Sequence, residues 1–259
     1  MNERGMLGRS SSGGHFRPQF SRLHEDRDLF WVVPFPVRYM VGVIGLRFAG
    51  KSAVLSHLNE KHGFRVYNLS SALREIAAQR EVPLEPRARL QELGDELRAE
   101  NGDAGYLARV TLRRIRADLL GHSPAPVPAR IAIGGFKHPA EIDVFTHLRS
   151  FQLMYVKADE RFRFDQAERS GVLQTELSAF PGQPAATIES FRRHIDRRDR
   201  HFDESPWTAG YGQQVDGVIE LATNPDDEIE NSGTLAELLA HASNRVAVLD
   251  AKFRGAGMP

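Results

Sequence analysis

The stretch GLRFAGKS, Gly45 to Ser52, sets the tightest bound on how this chain can fold. It follows a short β-rich apolar run, YMVGVIGL (Tyr39–Leu46), and precedes AVLSHLNEKHG, which has apolar residues at 54, 55 and 58 and a glycine stop at Gly63. That order reads as strand, loop, helix. Gly45, Gly50, Lys51 and Ser52 match G-x-x-x-x-G-K-[ST]. In that pattern the glycines let backbone N–H groups turn inward on phosphates, the lysine reaches the β and γ phosphates, and the serine hydroxyl ligates magnesium. The N-terminus of the following helix adds partial positive charge at the same place. The expected ligands are ATP and Mg2+, held by Gly45, Leu46, Arg47, Phe48, Ala49, Gly50, Lys51, Ser52 and Ala53, with Ser52 on the metal. The plain alternative is a glycine-rich β–α turn with a chance lysine.

The rest of the chain repeats the alternation. FRVYNL (Phe64–Leu69) reads as a second strand, and SSALREIAAQR as a helix with a serine cap. Two long helical patterns follow, Pro86–Gly102 and Ala104–Gly121, the first started by proline and both ended by glycine. RIAIGGF (Arg130–Phe136) is a buried-looking strand, PAEIDVFTHL a short helix, and SFQLMYVKAD (Ser150–Asp159) a further strand. ERFRFDQAERSG and TIESFRRHIDRRDRHF read as arginine-rich helices separated by the flexible SAFPGQPAAT. A helix around YGQQVDGVIELA, an edge segment DEIEN and a last helix TLAELLAHASNRVAVL complete the pattern. Strands alternating with helices predict an α/β fold with a parallel sheet covered on both faces. The expected organisation is a flexible N-terminal tail over 1–36, one domain over 37–248 and a C-terminal tail over 249–259.

Composition narrows the function classes. The 259 residues are 41% hydrophobic, enough for a buried core. The longest apolar candidate, LFWVVPFPVRYMVGVIGL, is broken by Pro34, Pro36 and Arg38, so no membrane span is expected. The first residues lack a basic-then-apolar secretory pattern, which makes the cytoplasm the expected location. With no cysteine, disulfides, thiolate-ligated zinc and a cysteine nucleophile are excluded. A formal net charge of zero argues against bulk attraction to nucleic acid or an anionic membrane. Lysine occurs only at 51, 61, 137, 157 and 252, leaving arginine with 29 of the 34 basic residues. An arginine-biased genome is the expected explanation for most of them; the functional alternative is that guanidinium forks suit phosphate oxygens.

A phosphate cradle does not name a reaction, since GTPases, ATPases and small-molecule kinases share it. No N-K-x-D base-reading segment of a GTPase follows a later strand. A motor or remodelling ATPase would want an acid at a strand end, which directs attention to RIAIGGFKHPAE.

With GLRFAGKS, GFRVYNLSSALREIA, RLQELGDELRAENGDAGYLA, IAIGGFKHPAEI and NSGTLAELL in this order, the chain resembles the nucleoside monophosphate kinase-like branch of P-loop proteins. Within it, the chain is similar to modules related to dephospho-coenzyme A kinase and deoxynucleotide kinases, including kinase-like modules fused to dCTP deaminases in phage defence. The resemblance covers about residues 38 to 245, and only its first motif is specific by itself. It implies a P-loop NTPase three-layer sandwich with a mainly parallel five-stranded sheet, a helical acceptor region and an arginine-rich lid. The absence of cysteine excludes the zinc deaminase chemistry of the fused proteins. The resemblance also implies that Arg74 lies near an acceptor phosphate, that Arg98 lines the same side, and that Asn231 and Gly233 border the adenine. The residues themselves leave alternatives open: an exposed helical arginine is ordinarily a solvated face, and asparagine-glycine segments form ordinary turns.

Departures from the pattern matter equally. Relatives commonly carry an acid where this chain has Gly134, an arginine at Lys137 and an aspartate at Ser71. Glu141 and Asp159 are the expected substitutes for the missing strand-end acid. Phosphoryl transfer rests mostly on positioning and electrostatic stabilisation, so the missing acids bear on catalysis more than on nucleotide binding.

Arg161 and Arg169 are eight residues apart, about 80° around a helix of 3.6-residue period, so they share roughly one face. A lid there would bring arginines onto the transferring phosphate. The plain alternative is a solvated helix balanced by Asp159, Glu160, Asp165 and Glu168. His194 and His201, seven residues apart on the expected helix, would lie roughly 10 Å from one another along the axis, too far for one ion. Arg197 and Arg198 are distant candidates for a phosphate contact.

The leading expectation is an ATP-dependent phosphotransferase, with Lys51, Arg74, Arg161 and Arg169 as its catalytic side chains, acting on a small-molecule, nucleotide-like acceptor; a homo-oligomer is compatible with it. The rival, favoured by Gly134 and Ser71, is a nucleotide-binding sensor or regulatory module with weak or lost transfer. A third reading is an ATPase partner in a defence or nucleic-acid assembly, with the tail and arginine-rich helices as contact surfaces.

Overall fold

From Tyr39 to Ile44 every residue of β1 (Val37–Ile44) is buried, the pattern of a strand covered on both faces. In this computed structural model β1 is the central strand of the sheet. The structure describes residues 37–84, 87–121, 129–148, 150–178, 180, 182–196, 201–202, 212–222 and 227–254, all within one compact unit, Phe35–Pro259. The tail expected over 1–36, together with Arg197 and Arg198, lies outside the described residues.

After β1 come α1 (Lys51–His62), β2 (Arg65–Asn68), α2 (Leu69–Gln79), α3 (Arg87–Glu100) and α4 (Tyr106–Gly121). Next are β3 (Ala129–Gly134), α5 (Pro139–Thr146) and β4 (Phe151–Lys157). The sheet runs β2-β3-β1-β4-β7, where β7 is Glu228–Glu230, and every neighbouring pair is parallel. This is the α/β fold with a parallel sheet that the strand–helix alternation predicts, and its five strands are the number that the resemblance implies. In register, Val43 of β1 pairs with Gly134 of β3, and Gly134 with Asn68 of β2. The carboxyl ends of three strands therefore stand level where the glycine loop begins.

The period of two along β1 divides the core. Tyr39, Val41 and Val43 join a cluster with Val54, Leu55 and Leu58 of α1 and with Leu238, Ala242, Val246 and Leu249 of the last helix, α10 (Leu235–Lys252). On the same helix Asp250 accepts hydrogen bonds from the Tyr39 hydroxyl and from Arg130, each at 3.0 Å, tying α10 to the sheet. α10 continues to Lys252, with Leu249 and Phe253 buried, so residues 249–253, expected in a C-terminal tail, belong to the packed helix.

Several local expectations are corrected. The helix after β2 is capped by Asn68, whose side chain accepts from the Ser70 amide at 3.0 Å, rather than by a serine. A short helix absent from the sequence reading, α7 (Val172–Leu177), follows α6 (Glu160–Arg169). The helix expected up to Phe202 is instead a single turn, α8 (Ile188–Ser190), running into a π-helical segment, Phe191–Asp196. Then β5 (His201–Phe202) pairs antiparallel with β6 (Gln213–Gln214), which precedes α9 (Val215–Glu220). His201 thus lies on a strand and shares no helical face with His194.

The segment from α6 to the π-helix has a core of its own. Phe164, Ala167, Leu173, Leu177, Phe191 and Ile195 cluster there, with Phe48 of the glycine loop packed against them. Inside it Arg163, 1% exposed, forms a two-pronged ion pair with Asp196, one arm at 3.3 Å. A buried charge needs such a partner, and this one joins α6 to the π-helical turn.

Candidate functional site

The glycine loop adopts a conformation that its glycines make accessible. Gly45 has φ +142°, and a Cβ there would sit 2.3 Å from the Val156 carbonyl oxygen of β4. Gly50 has φ +101°, and a Cβ there would meet the Asn231 amide at 2.7 Å. Only glycine combines those angles with that close approach. The helix that follows is N-capped by Gly50 without a side-chain hydrogen bond and has no acid in its first turn. Its leading N–H groups are thus offered to an anion rather than to a protein cap. Lys51 turns back into the loop, its Nζ donating to the Leu46 carbonyl at 2.6 Å, while Ser52 and Ala53 begin the helix, Ser52 being exposed.

Asn231 braces the loop from behind. It is 5% exposed, its side-chain amide donates to the Ala49 carbonyl at 2.9 Å, and its backbone N–H donates to the Lys157 carbonyl at 2.7 Å. The resemblance implies a place beside adenine; the contact found is with the loop backbone. Gly233, two residues on, sits just before the Thr234–Glu237 capping box of α10.

Arg47 and Phe48 point elsewhere. Arg47 forms a two-pronged ion pair with Glu176 of α7, one arm at 2.7 Å, and lies 4.7 Å over the Phe48 ring. Glu176 escaped the sequence reading because nothing local marks a partner 129 residues away.

At the strand ends, Gly134 has a steric reason to be glycine: a Cβ there would meet Leu55 Cδ1 at 2.6 Å. The side chain of α1 fills the place where a strand-end acid would start. Neither expected substitute is free to replace it. Glu141 is fully buried, accepts from the Lys137 and His138 amides at 2.6 and 3.2 Å in the capping box of α5, and pairs with Arg98 at 3.3 Å. Burial pushes its carboxyl up and the Arg98 guanidinium pulls it down. Asp159 caps α6 by accepting from the Phe162 amide at 2.6 Å.

Arg98 itself is 2% exposed and shared between Asp95 and Glu141, so it fastens α3 to α5 instead of lining an open acceptor face. Arg74 is exposed on α2 and donates to Ser70 Oγ at 3.2 Å. Ser71, one residue further along, lines a groove of about 740 Å3 on the outer side of β2, together with Arg65, Tyr67, Asn68, Glu75 and Arg114. Burial first, then the Asp118 carboxylate bonded to its hydroxyl, push Tyr67 up to about 12, so it remains a neutral donor at the groove wall. Arg161 and Arg169 are exposed on α6 and both converge on Asp165: Arg161 on its carboxylate and Arg169 on its carbonyl, each at 3.1 Å.

Among the described residues no group of three or more histidine, aspartate or glutamate side chains could hold a metal ion, and no helix is long and apolar enough to cross a membrane. A magnesium ion at the loop would be held by Ser52 and by its nucleotide, and the exposed Ser52 hydroxyl beside an uncapped helix start fits that demand.

No protein-family model and no curated protein matches the sequence. Among solved structures, the chain is similar to a protein of Thermus thermophilus at 17% identity and TM-score 0.46, over 81% of this chain and 96% of the other. It is similar to a gluconokinase from Sinorhizobium meliloti 1021 at 14% identity and TM-score 0.41, over 86% and 99%. For the shikimate kinase from Acinetobacter baumannii the values are 13%, 0.39, 83% and 93%. The strand order and the loop geometry define the fold independently of these likenesses.

Proposed function

We propose that this chain is an ATP-dependent phosphotransferase acting on a small, nucleotide-like acceptor, related to the dephospho-coenzyme A and deoxynucleotide kinase type. The observation that carries this reading is the glycine loop: two positive-φ glycines in close backbone approach, an inward Lys51 and an uncapped helix start. Lys51 would neutralise the β and γ phosphates. Arg74 would hold the acceptor, and Arg161 and Arg169 would stabilise the charge spread over the transferring group. A magnesium ion held by Ser52 and the nucleotide would supply further neutralisation of phosphate charge. In the transfer an acceptor oxygen bonds to the γ phosphorus, the bond from that phosphorus to the β–γ bridging oxygen breaks, and ADP departs. The setting is a cytoplasmic one, with neither a membrane nor a nucleic acid as partner.

A second reading has its own support. Leu55 occupies the place of a strand-end acid, and Glu141 and Asp159 are engaged elsewhere, as a nucleotide sensor with weak transfer would tolerate. Incubation with magnesium-ATP and a panel of nucleoside monophosphates and dephospho-coenzyme A separates the two. Lysine-dependent phosphorylation of one acceptor supports the kinase. Tight ATP binding without transfer to any acceptor supports the sensor.

A further inference from the structure

Two of the loop's eight residues direct their side chains away from the rest of the loop, Arg47 toward α7 and Phe48 toward the cluster formed by α6, α7 and the π-helical turn. Arg47 is clasped by Glu176 of α7, both carboxylate oxygens engaged, with the two side chains only 13% and 21% exposed. An arginine held in this fork geometry has committed its donors to a carboxylate. Phe48 has φ +62°, a left-handed conformation that a bulky side chain rarely adopts. Its ring packs on the cluster formed by α6, α7 and the π-helical turn, with its centroid 6.1 Å from that of Phe191. Such a backbone persists only where its surroundings hold it, and here the surroundings are the helices themselves.

Those helices are fastened to one another. They share one apolar cluster and the buried Arg163–Asp196 pair, and Arg161 and Arg169 ride on the same α6 that carries Arg163. The π-helical turn at Phe191–Asp196 belongs to a class of helix irregularity frequent at functional sites.

We infer that Arg47 and Phe48 are positioning residues, which couple the conformation of the phosphate loop to the placement of α6 and α7. A nucleotide that settles the loop thereby settles Arg161 and Arg169 through the Arg47–Glu176 clasp and the Phe48 ring. This deepens the phosphotransferase reading and rests on it. Arg47 acts here as a strut between loop and helices, and its guanidinium touches no phosphate.

The test is a double-mutant cycle on the full chain with Arg47→Ala, Glu176→Ala and both. Binding of magnesium-ATP is measured, along with hydrogen exchange of peptides spanning 160–177, with and without nucleotide. Glu176→Gln, which keeps a hydrogen-bond acceptor, is the mild variant should either alanine variant fold poorly. In the unsubstituted protein nucleotide slows exchange over 160–177. The coupling predicts that Glu176→Ala keeps affinity within about threefold yet loses that slowing, that Glu176→Gln retains part of it, and that the double variant is no worse than Arg47→Ala. Slowing over 160–177 that persists in both single variants overturns the inference. So does an affinity at least about tenfold weaker in Arg47→Ala than in Glu176→Ala, which would make Arg47 a phosphate ligand. Absence of ATP binding by the unsubstituted protein removes the phosphotransferase reading and this inference with it, an outcome distinct from the other two.

Discussion

The side-chain amide of Asn231 donates to the carbonyl of Ala49 at 2.9 Å, joining the end of the edge strand β7 to the middle of the glycine loop 182 residues earlier. The backbone N–H of Asn231 is held by Lys157 of β4, so the loop is referenced to the sheet rather than to its own helix alone. Asn231→Ala leaves a buried carbonyl unsatisfied, which costs about 1–3 kcal/mol. The variant is expected to lose that much in urea unfolding and to bind ATP more weakly, because a looser loop must be ordered on binding. Unchanged unfolding midpoints would show the contact to be dispensable.

Arg98 and Glu141 are 2% and 1% exposed in their side chains, and Arg98 keeps Asp95 as a partner when Glu141 is removed. Glu141→Ala takes away the buried carboxylate to which the Lys137 and His138 amides donate, so it is expected to destabilise the protein by about 1–3 kcal/mol, measured by equilibrium denaturation. Replacing Asp159, an exposed cap, by alanine should cost only about 1 kcal/mol. Were Glu141 a metal-site acid instead, its loss would weaken magnesium-dependent ATP binding while sparing stability.

The glycine at 134 predicts an interaction between two positions. Gly134→Asp would press on Leu55 Cδ1, 2.6 Å from the new Cβ, and overpacking of this kind costs about 1–3 kcal/mol. In a background of Leu55→Ala the same substitution should cost less, because the obstructing methyl is gone. Thermal melts of the two singles and the double check this; simple additivity would contradict it.

Acid sensitivity follows from the contact between α1 and α10. His57 and His62 present Nε2 to Ser243 Oγ at 2.8 and 3.0 Å, their rings 5.2 Å apart. Burial, then the His57 and Arg130 charges, hold His62 below its ordinary 6.5, with Asp250 opposing. A histidine depressed in the folded state favours folding above its unfolded value, and that contribution is lost as pH falls from 6.5 through the folded one. The melting temperature should therefore drop more between about pH 7.5 and about pH 5.5 in the unsubstituted protein than in His62→Gln. Equal slopes would remove His62 from the account.

The parts of this molecule that were legible in its sequence are those written locally. Strand β1, the loop and α1 occupy consecutive residues, and their apolar spacing and glycines state the strand–loop–helix order without reference to the rest of the chain. What was not legible depends on distant pairing. Whether Glu141 was a spare acid or a buried anchor turned on Arg98, 43 residues away. The orientation of Arg47 turned on Glu176, in a six-residue helix too short to show a period. The Gly134 position read as a missing acid; the reason for it is Leu55, which arrives from another element. The segment read as a helix up to Phe202 is π-helical over Phe191–Asp196, where Phe191 and Ile195 are buried, and a strand at His201–Phe202.

The central claim is that Gly45 to Ser52 form a triphosphate cradle closed by Lys51. Calorimetric titration of magnesium-ATP into the protein and into Lys51→Ala measures it directly. A charge-assisted contact is worth about 1.5–3 kcal/mol, so saturable binding to the unsubstituted protein should weaken by at least about tenfold in the variant while its fold is retained. Equal binding by the two proteins, or none by the unsubstituted one, would contradict the claim.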